Sequence, residues 1–304
     1  MNILLFGATG NIGRKLAKKL LERNHTVANV SRNSNKSKST LPFISNHLNL
    51  DDEDSLRNII HETDVVVNLA GFPVSEKWTS KNKQLIYDSR IKTTRKIVDL
   101  INSSPRKPRK FISSSAIGFY GNGREHLLTI DSPPGIGFLA NVCIEWEQEA
   151  QKVDENVTLI IPRIGIVLDR TSGALPKMAV PFKFYLGGKL GDGRQWMSWI
   201  HIDDLVNAFI EFIETDNYEG VLNAVSPNPV RNSEFSRLLA KVLNRPNFFV
   251  VPIFILRLIL GESASMVLNS QKVFPEKLIQ NDFEFKYPDL ESALIDLLKQ
   301  NDDV

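Results

Sequence analysis

Gly7-Ala8-Thr9-Gly10-Asn11-Ile12-Gly13 follows the apolar run Asn2–Phe6 and opens the amphipathic stretch Ile12–Arg23, and this junction decides the fold. Each glycine meets a mechanical demand. Gly7 permits a tight turn, Gly10 lets backbone approach a ligand, and Gly13 lets the helix pack closely on the strand. The amides of Asn11 and Ile12 then face an anion from a helix N-terminus, where aligned peptide dipoles favour negative charge by roughly 0.3–1 kcal/mol. The junction reads as a cradle for a dinucleotide pyrophosphate, with a ligand-free glycine turn as the alternative.

The same strand–helix rhythm continues through the first half of the chain. Strands are read at Asn2–Phe6, Thr26–Val30, Asp64–Leu69, Lys110–Ser114 and Thr158–Pro162. Between them helices are read at Ile12–Arg23, Ser55–His61, Ser80–Asn102 and Phe138–Val153. Continuous apolar runs such as Val65-Val66-Val67 suit strands covered on both faces. The pattern predicts an α/β protein with a Rossmann-type, doubly wound parallel sheet over residues 1–165. After Pro162 glycine- and proline-bearing loops change the rhythm, which predicts a smaller C-terminal α/β substrate domain over residues 166–304. Its helices are expected at Asp204–Glu214, capped by Asp203, at Asn232–Leu243, capped by Asn232, at Ile253–Leu268 and at Leu290–Lys299. Two polar patches, Asn33–Thr40 and residues 301–304, read as disorder-prone.

Composition narrows the function. The 37 Lys and Arg against 35 Asp and Glu leave a net charge of +2 without a block of like charge, which argues against nucleic acid or a membrane surface as partner. Cys143 is the only cysteine and the five histidines are scattered, so neither a disulfide nor a metal site is expected. No apolar run reaches the about 18 residues of a membrane span, and Met1–Phe6 leads straight into a strand without room for a signal peptide. A cytoplasmic protein is expected.

A second wall of the cleft is read at Asn68-Leu69-Ala70-Gly71, where small residues let a ribose or pyrophosphate lie against backbone. About twenty residues after the glycines an NAD-selective site would place a carboxylate on the ribose 2′-hydroxyl. This chain reads Val30-Ser31-Arg32-Asn33 there, and a guanidinium beside a hydroxyl suits the 2′-phosphate of NADP(H). Lys36 and Lys38 read as solvated cations.

With these motifs in place, the chain resembles the extended short-chain dehydrogenases/reductases of the epimerase and dehydratase branch, and more narrowly the atypical SDR39U1-like or YfcH-like epimerase subgroup. The matching stretches include Gly7–Gly13, Ser113–Gly121, Trp146-Glu147, Arg163–Leu168, Gly187–His201 and Pro275–Leu298. The resemblance implies NADP(H) contacts from Ser31, Arg32, Leu69, Ala70 and Arg90, with Val167 near the nicotinamide end. Arg90 also suits an ordinary surface ion pair. A homodimer through the helices near 80–102 and 138–153 is allowed by the same resemblance.

The catalytic pattern departs from the family. A Tyr and a Lys four apart share one helix face there, so that the ammonium depresses the phenol pKa and a phenolate can act as base. Aligned on Glu147, those positions hold Leu139 and Cys143. Ser115 matches the serine that bonds the substrate oxygen. Tyr120 is the surviving acid–base candidate, or else a packing aromatic at a turn. Tyr185-Leu186-Gly187-Gly188-Lys189 repeats the spacing literally, but two glycines oppose a helix and it reads as coincidence. Trp78, Trp196 and Trp199 lie in loops, either as aromatic walls of a substrate cleft or as core packing. Trp78, Trp199 and Gln195 are the substrate-contact candidates, and His201 reads as structural, preceding the Asp203 cap. The expected function is that of an NADP(H)-binding oxidoreductase or epimerase for a small polar substrate. The alternative is a non-catalytic NADP(H)-sensing regulator, since some members of that subgroup are described as cell-division-inhibitor-like.

Overall fold

The computed structural model describes residues 1–299. Five strands, β1 (Asn2–Phe6), β2 (Thr26–Ser31), β3 (Asn46–Asn49), β4 (Val65–Asn68) and β5 (Lys110–Ser113), alternate with α1 (Asn11–Glu22), α2 (Ser34–Thr40), α3 (Glu53–Glu62) and α4 (Ser80–Ser103). Next come β6 (Ser115–Ala116), β7 (Leu127–Leu128), α5 (Phe138–Ala150), β8 (Thr158–Ile164) and β9 (Ile166–Leu168). The rest of the chain adds α6 (Ala174–Lys183), β10 (Gly188–Leu190), β11 (Trp196–Met197), β12 (Trp199–His201), α7 (Ile202–Glu214), β13 (Gly220–Ala224), α8 (Asn232–Leu243), β14 (Val230–Arg231), β15 (Phe249–Val251) and α9 (Ile253–Leu260).

The main sheet is parallel, in the order β13-β8-β5-β4-β1-β2-β3, with β6 pairing to β8. Its two faces are sorted by the two-residue period of a strand. Ile3 and Leu5 of β1 face one core with Leu16, Leu205 and Phe209 of α1 and α7, while Leu4 and Phe6 face the other with Leu56, Ile97 and Ile101 of α3 and α4. Helices therefore cover both faces, which is why the strands read as unbroken apolar runs.

The structure alters several expectations. The strand read to Pro162 continues to Ile164, because Pro162 and Arg163 still pair with Leu222 and Asn223 of β13. β13 itself belongs to the main sheet, so a cut at residue 165 divides chain segments and not layers. The polar patch Asn33–Thr40 contains α2, whose N-terminus is satisfied by Asn33 accepting from the Lys36 amide at 2.9 Å. The other polar patch, residues 301–304, lies outside the described residues. His201, not Asp203, caps α7, accepting from the Asp203 amide at 3.1 Å. Asn232 is not a cap either, since its side-chain oxygen is spent on the Leu190 amide at 2.8 Å, tying α8 to β10. The helix read at 253–268 breaks at Gly261, where φ is +60°, into α9, a 3-10 turn and a short helical turn. Among the described residues no helix is long and apolar enough to cross a membrane.

Candidate functional site

Phe6 stands level with Val30 of β2 and Asn68 of β4, so the turns that leave these three strands open on one edge of the sheet. That edge holds the point where strand order reverses, between β1 and β4, and open α/β sheets bind ligands there. The glycines are required by contact. A Cβ on Gly13 would sit 2.4 Å from the Gly7 carbonyl oxygen and 2.7 Å from the Ala8 Cα. Gly7 has φ of +90°, and a Cβ there would meet the Leu69–Ala70 backbone at 2.8 Å. Gly10 is the N-cap of α1 and no side chain caps that helix, so the first amides, including those of Asn11 and Ile12, meet no side-chain acceptor beside the exposed Thr9 and Gly10.

The second strand ends in a similarly open state. The Ser31 hydroxyl is enclosed and has no hydrogen-bond partner, while Arg32 is exposed with no ion pair or hydrogen bond among the described residues. Asn68, by contrast, turns inward. Its side chain is buried, donating to Thr94 Oγ1 at 2.9 Å and accepting from the Ala70 amide at 3.1 Å, so it shapes the Leu69–Gly71 turn instead of facing a ligand. Arg90 lies beneath that turn. A Cβ on Gly71 would touch its guanidinium at 3.0 Å, and Nη1 donates to the Phe72 and Ile86 carbonyls at 3.0 and 3.1 Å. It forms no surface ion pair; burial lowers its pKa, and its remaining donors, Nε and Nη2, are without partners among the described residues. Val167 is on β9, beside Ile200 of β12. The following turn is anchored by buried Asp169. Burial alone would raise its carboxyl, but Lys15 of α1 at 2.8 Å and the Thr171 bonds outweigh it and hold it below the usual range.

The cradle fits a phosphorylated dinucleotide on its own geometry: space that any Cβ would fill, uncapped helix amides, an unbonded hydroxyl and a free guanidinium converge on one edge. Among the described residues no group of three or more His, Cys, Asp or Glu is placed to hold a metal ion.

At the neighbouring end of the sheet Ser115 and the groups around it are spent on each other, while the buried Ser113 and Ser114 hydroxyls just before it have no partner among the described residues. Ser115 of β6 stands level with Arg163 of β8, and its Oγ donates to Glu147 Oε1 at 2.6 Å. Glu147 also receives Arg163 Nε at 2.9 Å and Nη2 at 2.8 Å, a two-pronged pair with both side chains about 5% exposed. Burial would lower the Arg163 guanidinium, but the bonds and charge of Glu147 hold it above its ordinary value. Arg163 Nη1 donates to the Tyr120 hydroxyl at 3.0 Å, which in turn donates to Asn223 Oδ1 at 2.7 Å. Asn223 passes the chain on to Glu276 at 3.2 Å, and Glu276 accepts from the Ile130 amide. Burial pushes the Tyr120 phenol up, against the smaller opposite effects of Arg163 and Asn223. Neither candidate hydroxyl is unbonded in this structure.

Cys143, which the resemblance aligns with the family's lysine, lies on α5 one turn before Glu147 on the same face. A Cβ on Gly118 would lie 3.7 Å from its sulfur and 3.4 Å from the Leu139 Cβ. Burial, with the Glu147 charge nearby, pushes the thiol up to about 11, so it carries no charge near neutral pH. The Glu147–Arg163 pair escaped the sequence reading because the strand was closed at Pro162. Its signal was present, however: an arginine inside the run Thr158–Ile164 must have a buried partner.

The substrate candidates separate. Trp78 stands at the start of the α4 region with its ring edge-on to Phe138 of α5 at 5.1 Å, which brings the 71–79 loop and α5 together. Trp199 is wholly buried, donating to the Asn228 carbonyl at 3.0 Å, and is core packing instead of a cleft wall. Gln195 is also buried, its amide joining the Leu190 and Val267 carbonyls at 3.2 and 3.1 Å, so it braces the C-terminal region. Trp196 donates to Glu125 at 3.1 Å under Arg231 and Lys272. Tyr185 follows the end of α6 with φ of +63°, and Lys189 lies on β10, so the two share no helix face.

Comparison with known proteins agrees with this geometry. Residues 3–165 match the NAD dependent epimerase/dehydratase family, and residues 251–297 match a domain of unknown function, DUF1731. The chain is 41% identical over 297 residues to the chloroplastic epimerase family protein SDR39U1 homolog of Arabidopsis thaliana, covering 97% of this chain and 86% of that one. It is 39% identical to the epimerase family protein SSP1921 of Staphylococcus saprophyticus, covering 97% and 98%. The fold is shared with human epimerase family protein SDR39U1 (isoform2), solved with NADPH, at a TM-score of 0.89 and 28% identity over 99% of this chain and 100% of that one. The chain belongs to the NAD dependent epimerase/dehydratase family, as an SDR39U1-like, nicotinamide-dinucleotide-binding member.

Proposed function

We propose that this chain binds NADP(H) and works as an oxidoreductase or epimerase on a small polar substrate. Arg32 carries the reading. An exposed guanidinium without a protein partner, next to the unbonded Ser31 hydroxyl, stands where an NAD-selective site would present a carboxylate. A 2′-phosphate would take a charge-assisted bond from Arg32 directly, and one from Ser31 on rotation of its enclosed hydroxyl toward the ligand. That the human relative was solved with NADPH supports the same choice. Gly7, Gly10, Gly13 and the first amides of α1 would hold the pyrophosphate, the Leu69–Gly71 backbone and Arg90 a ribose or phosphate, and Val167 the nicotinamide end. When bound, the cofactor gives or takes a hydride.

Ser115 is the group proposed to meet the substrate oxygen. With its proton directed at Glu147, its lone pairs are free to accept from a substrate hydroxyl; turned away from Glu147, it donates to a carbonyl instead. Tyr120 is the proton-transfer candidate only if it leaves Arg163 and Asn223, so water is the favoured carrier. A second reading, a non-catalytic NADP(H)-sensing regulator, is favoured by one observation: Ser115, Tyr120 and Cys143 are each already bonded or held neutral.

Arg32→Ala is expected to weaken NADPH binding by about ten- to a hundredfold and leave NADH binding unchanged, read by titration of nucleotide fluorescence. Equal affinity of the parent protein for NADH and NADPH sinks the assignment of Arg32. Incubation with NADPH and a panel of carbonyl and sugar-nucleotide compounds divides the two functions. Turnover that Ser115→Ala lowers by about a hundredfold supports the enzyme, whereas tight NADPH binding with no turnover supports the sensor.

A further inference from the structure

The helix α9 reads Ile253-Phe254-Ile255-Leu256-Arg257-Leu258-Ile259-Leu260, yet only Leu256 is buried. A helix apolar on every side is ordinarily enclosed by protein or by lipid, and this one has protein on one side only. Leu258 is 83% exposed, Phe254 71% and Ile259 68%. The bareness extends beyond the helix. β10 pairs with β15 so that Gly188 and Lys189 lie level with Phe249 and Val250, and the residues leading into each strand, Phe184 and Leu186 on one side and Phe248 on the other, are exposed. Arg245 lies over the Tyr185 ring at 4.8 Å and joins the two segments from the other side, and Ile253 packs at Gly191. The exposed apolar residues thus gather on α9 and on two segments that β10, β15, Arg245 and Ile253 tie together, more than scattered exposure explains.

Its charge is as one-sided as its polarity. No carboxylate occurs between Asp169 and Asp192, nor between Glu234 and Glu262. Lys183, Lys189, Arg245 and Arg257 all fall in those segments, and none pairs with a carboxylate among the described residues. The chain as a whole is nearly neutral, so this local excess was invisible in the net charge of +2. A two-fold contact with a second copy would set these cations against their own copies, with only Asp192 and Glu262 at the two ends of α9 to offset them. An anionic lipid surface supplies what the face lacks: hydrocarbon for the aromatic and aliphatic side chains, and phosphate at headgroup depth for the cations.

We propose that this face docks the protein onto an anionic bilayer, with α9 and the Phe184–Leu186 and Phe248–Val250 segments lying in the headgroup layer. The inference is independent of the cofactor assignment. The test is co-sedimentation of the full chain with vesicles of phosphatidylcholine alone or mixed with phosphatidylglycerol. Binding to the mixed vesicles is expected, falling at least about tenfold in Phe254→Glu/Leu258→Glu and several-fold in Lys183→Glu/Arg257→Glu or at high salt. All of these side chains are exposed, so an unchanged circular dichroism spectrum and melting temperature certify the fold of each variant without reference to any cofactor. Absence of binding, or binding that neither double variant weakens, overturns the proposal. So does a concentration-dependent dimer in sedimentation equilibrium that Phe254→Glu/Leu258→Glu dissolves, since the face would then belong to a second copy.

Discussion

The two ends of the sheet edge differ in what they leave undone. At the glycine end, among the described residues, the first amides of α1 and the exposed Arg32 guanidinium meet no side-chain partner, and the enclosed Ser31 hydroxyl, a kind of group that folding ordinarily satisfies, has none either. At the serine end, Ser115, Glu147, Arg163, Tyr120 and Asn223 satisfy one another in a line, and what is left unbonded there is two buried hydroxyls, Ser113 and Ser114, with no unpaired charge among the described residues. Unmet bonding capacity marks where a ligand completes the structure, and a closed network marks where the structure completes itself. The buried pair of Glu147 and Arg163 thus braces the interior, while the glycine end is the part of the edge that presents unpaired groups to solvent.

If that contrast is right, the largest effect of any single change lies in the closed network and should be one of stability. Glu147→Ala leaves the Arg163 guanidinium buried without its partner and should cost about 3–5 kcal/mol. Urea unfolding measures it, and a loss below about 1 kcal/mol would mean the pair is hydrated and the network is not closed. Next in size is the cradle. Gly13→Ala forces a Cβ to within 2.4 Å of the Gly7 carbonyl, so α1 must move off β1. The expected cost is about 1–3 kcal/mol of stability, with NADPH binding lost in proportion to the displaced amides. Retained binding in a destabilised Gly13→Ala protein would show that the amides of α1 do not face the dinucleotide.

The sequence made the open end legible and the closed end obscure, for physical reasons. Glycines are informative because their use depends on local backbone geometry: Gly7 and Gly13 announce a turn and a close approach without reference to distant residues. The alternation of strands and helices is local in the same sense, so β1, β2, β4 and β5 were placed to within a residue or two. A buried ion pair is not local. Glu147 and Arg163 lie on a helix and a strand whose meeting depends on β6 pairing with β8, and nothing within a short window states that register. Trp199 and Gln195, expected at the substrate, are buried instead, for a related reason: a loop position does not reveal whether the loop is covered, and both of these are. β3, the sequence Asn46–Asn49, has too little apolar character to read as a strand, and it forms by pairing along β2.

The smallest expected effect tests whether Cys143 is inert filling at the lysine position or a group held back by its surroundings. Its thiol is raised from 9.0 to about 11 by burial and by the Glu147 charge, so the folded state keeps the proton over a pH range in which the unfolded chain has lost it. A raised acid group contributes its full stability below the unfolded value and loses it as pH climbs through the folded one, so the protein should weaken between about pH 9 and 11. On the order of 1–2 kcal/mol of that alkaline loss should vanish in Cys143→Ala, after subtraction of the pH-independent cost of the missing sulfur. Below pH 8 the parent should resist iodoacetamide unless unfolded, because the attacking species is the thiolate. Rapid alkylation of the folded protein at neutral pH would instead place an ionised, reachable sulfur beside Ser115, and the serine end could no longer be counted as closed.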